Sequence, residues 1–230
     1  MTLAALIFDV DGTLAETEEA HRHAFNLSFA EAGLGWHWDR DTYRRLLRTT
    51  GGKERMRRYA QETGQPAPDV TALHARKTET YARLLAQGLA LRPGVADLVT
   101  AARAAGLRLA VATTTSAPNV QALARACWDR DADQVFDVIA AGDEVPRKKP
   151  AADIYTLALA RLGLPAGAAL AFEDSRNGVL AARGAGLRVV VTPALYTEAE
   201  DFTGALAVLP SLEPAHWPEP LATALAGVRA

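Results

Sequence analysis

Two carboxylates, Asp9 and Asp11, close the first apolar run of the chain, ALIFDVDGT (5–13). Val10 offsets them, so in an extended segment both project to the same side. Three other polar sets also end apolar runs: Thr113-Thr114-Thr115, the loop with Lys148 and Lys149, and Glu173-Asp174. Gathered at one rim, four carboxylates repel one another unless a cation bridges them. An oxygen-only donor set without a thiolate or a histidine pair selects Mg2+ over zinc. A divalent cation, one lysine and one hydroxyl are the equipment for holding a phosphoryl group. With its charge neutralised, an anionic aspartate can attack it. Asp9, at the strand tip, is then the nucleophile. Asp11 protonates the leaving oxygen and later deprotonates the attacking water.

Taken singly, each residue has a plainer reading. Asp11-Gly12 is a favoured hairpin pair, and Glu173-Asp174-Ser175 suits a helix N-terminus. Thr113 and Lys149 pass as an ordinary strand-end hydroxyl and a surface lysine. Their joint occurrence carries the argument, provided that the elements bring them together.

The elements predict that convergence. LAALIF (3–8), LRLAVAT (107–113), VFDVIAA (135–141), ALAFED (169–174) and LRVVVT (187–192) are near-continuous apolar runs, with ALAVLP (205–210) a sixth candidate. Segments 94–106, 150–163 and 175–186 between them are helical in pattern and close on glycine. Alternation of this kind predicts an α/β fold with a parallel sheet covered on both faces. Ligands of such sheets bind outside the carboxyl ends of the strands, where the polar sets stand. Residues 16–87 are helical, charged and without buried-strand runs, which predicts an all-helical insert, with GLALRPG (88–94) as the return hinge. The tail 210–221 is proline-rich and predicts a surface turn before a last short helix.

Within the insert, Glu16, Thr17 and His21 stand at its start, Glu16 suited to a sugar hydroxyl and His21 to sensing closure. The stretch Thr49-Thr50-Gly51-Gly52-Lys53-Glu54-Arg55 has the composition of an anion loop, with glycines for close backbone approach and Lys53 and Arg55 for charge. A second phosphate site there would select a bisphosphorylated substrate. Arg76 and Lys77 read as a solvated helix face, although Lys77 is also a substrate-binding candidate. Lys148 is expected to face solvent.

The 230 residues are 49% hydrophobic and 23% charged, with a formal net charge of −2. A balance so close to zero gives no electrostatic case for nucleic acid or an acidic membrane surface. Cys127 is the only cysteine, which excludes an internal disulfide and a thiolate cage. No basic leader or bilayer-length apolar span is evident, so a cytoplasmic monomer acting on a small molecule is the expectation.

Asp9-Val10-Asp11-Gly12-Thr13-Leu14, Thr113, Lys149-Pro150 and Glu173-Asp174-Ser175 resemble, in order, the four motifs of the haloacid dehalogenase superfamily. That resemblance implies a Rossmann-like core (1–15 and 88–230), a type 1 helical cap (16–87) and an aspartyl-phosphate intermediate. It also implies Mg2+ on the Asp9 carboxylate, the Asp11 carbonyl oxygen and Asp174, with Glu173 in support. Thr113 and Lys149 would hold the phosphoryl oxygens.

LAETEEAHRHAF, TTGGKER, ATTTSAPNV and KKPAADIY are similar to the CbbY-type branch, which is associated with the Calvin cycle. The branch includes phosphatases that remove the 1-phosphate of xylulose 1,5-bisphosphate. By this similarity Thr114, Thr115, Ser116 and Asn119 line the sugar side of the pocket. The related β-phosphoglucomutases share nearly every catalytic residue, and Lys53 and Lys77 stand where the mutases carry a cap arginine and a cap lysine. A hexose-phosphate mutase therefore stays open beside the phosphatase. So do a Schiff-base phosphonoacetaldehyde hydrolase using Lys53 and a non-catalytic metabolite-binding regulator.

Overall fold

The computed structural model describes residues 2–226; the last four residues of the expected core segment, 227–230, lie outside them. Six parallel strands, β1 (Ala5–Phe8), β2 (Arg108–Ala112), β3 (Val138–Ala140), β4 (Ala169–Glu173), β5 (Arg188–Val191) and β6 (Ala207–Val208), form one sheet in the order β3-β2-β1-β4-β5-β6. β1 is central, with Ala5 in register with Arg108 on one side and Ala169 on the other. The topological switch therefore falls at β1, and a site is expected just beyond its carboxyl end.

Side chains alternate across the sheet. Leu6, Phe8, Leu109, Val111, Leu170 and Phe172 face one layer, where α5 (Val95–Ala104), α6 (Ala117–Trp128) and α10 (Leu221–Leu225) pack. Ala5, Ile7, Ala110, Ala112, Ala169 and Ala171 face the other, against α8 (Asp153–Leu162) and α9 (Arg176–Gly184). The small residues on this second face let those helices lie close to the sheet. Each fully buried aliphatic or aromatic side chain contributes about 1.5–3 kcal/mol, which opposes the repulsion among the acids at the rim.

Two strands fall far short of the runs the sequence predicts, while the others lose one or two end residues. VFDVIAA pairs only at 138–140, because Val135 ends a one-turn helix, α7 (Ala132–Val135), and Asp137 turns its carboxylate back to the Leu109 amide and Arg103. ALAVLP pairs only at 207–208, at the sheet edge.

Between β1 and α5 lie α1 (Glu18–Glu31), α2 (Arg40–Leu46), α3 (Gly52–Thr63) and α4 (Val70–Leu85). They enclose an aromatic core of Phe25, Phe29, Trp36, Trp38 and Tyr43. The two connections run side by side, Ala15 bridging to Leu91 and the Arg92 amide donating to the Leu14 carbonyl. Among the described residues no helix is long and apolar enough to cross a membrane.

Candidate active site

β1 ends at Phe8, and the Asp9 amide extends its ladder by donating to the Phe172 carbonyl. The Asp9 side chain thus stands beside the end of β4, where Glu173 and Asp174 emerge. One carboxylate oxygen from each of Asp9, Glu173 and Asp174 lies within 4.8 Å of the others. From the loop before α8, Lys149 places its ammonium 2.6 Å from Asp9 Oδ1 and 2.6 Å from Glu173 Oε1. The Tyr155 hydroxyl donates to the same Glu173 oxygen at 2.6 Å.

Burial pushes the Asp9 carboxyl up to about 7, with Glu173 and Asp11 adding to the rise and Lys149 opposing it. Burial, then Asp9 and Glu173, holds Asp174 well above the usual carboxylate range. Burial alone would lower Lys149, but the two carboxylates it touches outweigh that and raise it. One ammonium therefore faces three buried acids. That deficit of positive charge and the all-oxygen donor set fit a hard divalent cation.

Two glycines make the cluster sterically feasible. A Cβ on Gly12, whose φ is +82°, would stand 2.5 Å from Asp174 Oδ2. A Cβ on Gly178 would stand 1.9 Å from the Glu173 carboxylate, so the first turn of α9 admits that side chain only because it is bare there.

Asp11 is held from the insert. Its Oδ1 accepts from Thr17 Oγ1 at 2.6 Å and lies 2.9 Å from His21 Nε2. His21 Nδ1 in turn meets the Lys77 ammonium, and its ring stacks on Tyr81 with centroids 4.0 Å apart. This pattern assigns the imidazole proton to Nε2, leaving Nδ1 to accept from Lys77. Burial lowers His21, against the pull of Asp11. Burial also opposes ionisation of Asp11, yet His21, Thr17 and Lys77 outweigh it and keep that carboxyl below its ordinary value. The two acids are thus driven apart, Asp9 up and Asp11 down.

A cavity of about 110 Å³ lies between the rim and the helical insert. Asp9, Asp11, Thr113, Lys149 and Asp174 line its floor, and His21, Thr50, Gly51, Gly52, Lys53, Arg55 and Lys77 its roof. Thr114, Thr115, Ser116 and Asn119 form one wall at the start of α6. Asn119 Nδ2 donates to Thr115 Oγ1 at 2.8 Å, whereas Asn119 Oδ1 and Ser116 Oγ are buried without a protein partner. Glu173 lies beneath the floor, fully buried.

The remaining candidates divide, some outside the cavity and some lining it with partners the sequence did not show. Glu16 is outside the cavity; its carboxylate stands 3.4 Å from Arg92 and is half exposed. Thr49 is also outside, its carbonyl accepting from Arg55 at 3.4 Å. Thr50 lines the cavity, but its hydroxyl donates to the Lys149 carbonyl and so ties insert to core. Arg55 is anchored to the Tyr43 hydroxyl at 2.9 Å. Lys77 is no solvated lysine: it is 3% exposed, over the rings of Phe25 and Tyr81, and burial pushes it down to about 7. Lys148 is half-buried and lines the cavity, donating to the Gly142 carbonyl at 2.6 Å, rather than facing solvent.

Sequence reasoning missed Glu18, His74, Asn177, Thr197 and Glu200, which also line the cavity. Thr197 follows the fifth apolar run as the other polar sets follow theirs, a signal present in the sequence. His74 had none, since it reaches the cavity only by packing beside Gly52.

A parallel sheet switching at β1, with paired aspartates at its tip and lysine and acids on the flanking loops, is the arrangement of one enzyme class. The sequence matches the haloacid dehalogenase-like hydrolase family over residues 3–186, and the chain belongs to it. Its relatives include protein CbbY of Cereibacter sphaeroides, 57% identical over 212 residues, spanning 91% of this chain and 92% of that one. Protein CbbY of Rhodobacter capsulatus is 56% identical over 218 residues, 94% of this chain and 96% of that one. The crystal structure of CbbY from Rhodobacter sphaeroides in complex with phosphate superposes with a TM-score of 0.90 at 54% identity, covering 92% of this chain and 96% of that chain. A mutant of the same protein, in complex with xylulose-(1,5)bisphosphate, matches equally well.

Proposed function

We propose that the protein is a phosphatase that hydrolyses a sugar bisphosphate, xylulose 1,5-bisphosphate at its 1-phosphate, through an aspartyl-phosphate on Asp9. The observation carrying this reading is the pairing of Asp9 and Asp11 under a cavity whose opposite wall brings in Lys53, Arg55 and Lys77, beside Glu18 and Glu54. The likeness to a CbbY structure holding that bisphosphate supports it.

In this reading Asp9 Oδ attacks phosphorus in line, and the P–O bond to the sugar breaks. Asp11, held ionised by His21, Thr17 and Lys77, takes up a proton when the phosphoryl charge enters beside it and gives that proton to the leaving oxygen. Water enters the vacated side and Asp11 takes a proton from it, releasing inorganic phosphate and restoring both acids. Lys149 and Thr113 hold the phosphoryl oxygens. Asp9 and Asp174, with the Asp11 carbonyl, would hold Mg2+, and Glu173 supports them from below. When bound, Mg2+ neutralises phosphoryl charge so that an anionic carboxylate can approach. Residues 16–87 act as the cap, where Lys53 and Arg55 meet the distal phosphate. Ser116 and Asn119 offer their unpartnered oxygens to the sugar.

The test is release of inorganic phosphate across a panel of sugar mono- and bisphosphates, including ribulose and xylulose 1,5-bisphosphates, with Mg2+. Rapid release from a ketopentose bisphosphate is expected. Isomerisation of a hexose monophosphate, restarted by trace bisphosphate, would replace the reading with a mutase.

A further inference from the structure

One core residue belongs to the aromatic centre of the insert. Tyr196, in the loop after β5, is 7% exposed and packs with Phe25, Phe29, Trp38 and Tyr43 in a single cluster. Its ring meets Tyr43 edge-on with centroids 5.6 Å apart, and the Arg44 guanidinium lies 5.5 Å from its centre. Its hydroxyl donates to Glu19 in the first turn of α1, and Arg22 holds that carboxylate at 2.9 Å. Arg44 also reaches the Leu195 carbonyl at 3.4 Å. Two helices of the insert therefore grip this loop.

The next residue faces the catalytic floor. The Thr197 amide donates to the Ala194 carbonyl at 3.0 Å, closing a turn. The Ala194 amide donates to Thr197 Oγ1 at 3.0 Å, and the hydroxyl proton has two acceptors, Asp174 Oδ2 at 3.1 Å and the more distant Ala194 carbonyl at 3.4 Å. Tyr196 and Thr197 are consecutive in a turn closed by two hydrogen bonds between Ala194 and Thr197, so a backbone shift that follows the Tyr196 ring is felt at the Thr197 hydroxyl.

We infer that the Ala194–Thr197 turn couples the cap to the metal site, with Thr197 positioning Asp174 and Tyr196 reporting cap position to it. When the cap is seated, the aromatic cluster fixes Tyr196, and Thr197 holds Asp174 in the orientation that accepts the cation. When the cap withdraws, Tyr196 loses its ring partners and Asp174 loses a fixed donor. The inference rests on residues 16–87 being a moving cap and on Asp174 holding Mg2+. Coupling of this kind is reciprocal, so the ion also favours the seated cap.

Calorimetric titration of Mg2+ into the full chain tests it, with circular dichroism to show that each variant is folded. Thr197→Val should weaken Mg2+ binding about tenfold, in the range for loss of a partner to a ligating carboxylate, and Thr197→Ser should restore it. Tyr196→Phe and Glu19→Gln touch nothing at Asp174, yet each should weaken Mg2+ about fivefold. Combined with Thr197→Val they should add little, because the same link is already cut. Wild-type Mg2+ affinity in both Tyr196→Phe and Glu19→Gln overturns the coupling, as does wild-type affinity in Thr197→Val. A wild-type chain that binds Mg2+ with these variant effects but releases phosphate from no sugar phosphate overturns the substrate reading and leaves the coupling standing. Absence of Mg2+ binding overturns both.

Discussion

Lys149 Nζ lies 2.6 Å from Asp9 Oδ1, although 140 residues separate them in the chain. The contact joins the tip of the central strand to the loop before α8, and Glu173 shares the same ammonium. It keeps a positive charge on the side from which a phosphoryl dianion would otherwise be repelled.

From that geometry, Asp9→Asn removes the attacking oxygen while keeping size and polarity. Turnover should fall on the order of 10⁴-fold or more, as for loss of a covalent nucleophile, with the fold intact by circular dichroism. Retained phosphate release would sink the assignment.

Asp11→Asn keeps an acceptor for Thr17 and His21 but loses the titratable carboxyl group. A general acid–base contributes about 10²–10⁴-fold, so turnover should drop by that factor. Intact-mass measurement after acid quench should catch a phosphorylated chain if the second step is the slower. Ordinary steady-state rates would remove the role.

Gly178→Ala places a Cβ where the Glu173 carboxylate now lies, 1.9 Å away. Glu173 is fully buried and cannot swing to solvent. Displacing such a supporting group typically costs about 10–100-fold in metal affinity or activity. Calorimetry with Mg2+ reads the effect, and an unchanged dissociation constant contradicts it.

Lys53→Ala should raise KM for sugar bisphosphates about 10–100-fold, the worth of one charge-assisted hydrogen bond, and hardly alter small aryl phosphates. Equal effects on both classes would exclude a distal anion site in the cap.

Burial pushes Lys77 down to about 7 from an ordinary 10.5, against Asp11 and Glu18 and with Arg55. Between pH 7 and 9 the unfolded chain keeps a proton that the folded chain has released. The Lys77 contribution to stability therefore rises with pH in that window, by at most about 1.4 kcal/mol per unit, opposed near pH 7 by Asp9, whose raised carboxyl keeps its proton in the folded chain. Above pH 9 the Cys127 thiol, pushed up to about 11 by burial, offsets the Lys77 slope, because the folded chain then holds a thiol proton that the unfolded chain has lost. Urea unfolding at pH 7, 8 and 9 measures the slope, and Lys77→Met should flatten it. An identical slope in the variant would show that Lys77 stays charged in the folded protein.

What the sequence determined by itself was the order of the strands' apolar runs and the polar residues that end them. Runs such as LRLAVAT and LRVVVT are apolar almost throughout, and only a sheet covered on both faces can bury them. That one constraint places Asp9, Thr113, Glu173 and Asp174 along the same rim. Helical periodicity in residues 16–87 likewise separates the insert from the sheet.

Tertiary structure alone decided which side chains of the insert meet that rim. Lys77 and Arg76 are neighbours on α4, and composition gives them the same character. Packing of α1 against α4 buries Lys77 under Phe25 and Tyr81 and brings it to His21. Glu16 and Glu18 differ by two positions, yet the start of α1 carries Glu18 to the cavity and leaves Glu16 with Arg92. Tyr196, in the loop after β5, becomes part of the insert's core. Strand alternation is a local property that one segment fixes for itself. The direction of a helix face, and what a loop finally touches, depend on packing between elements far apart in sequence.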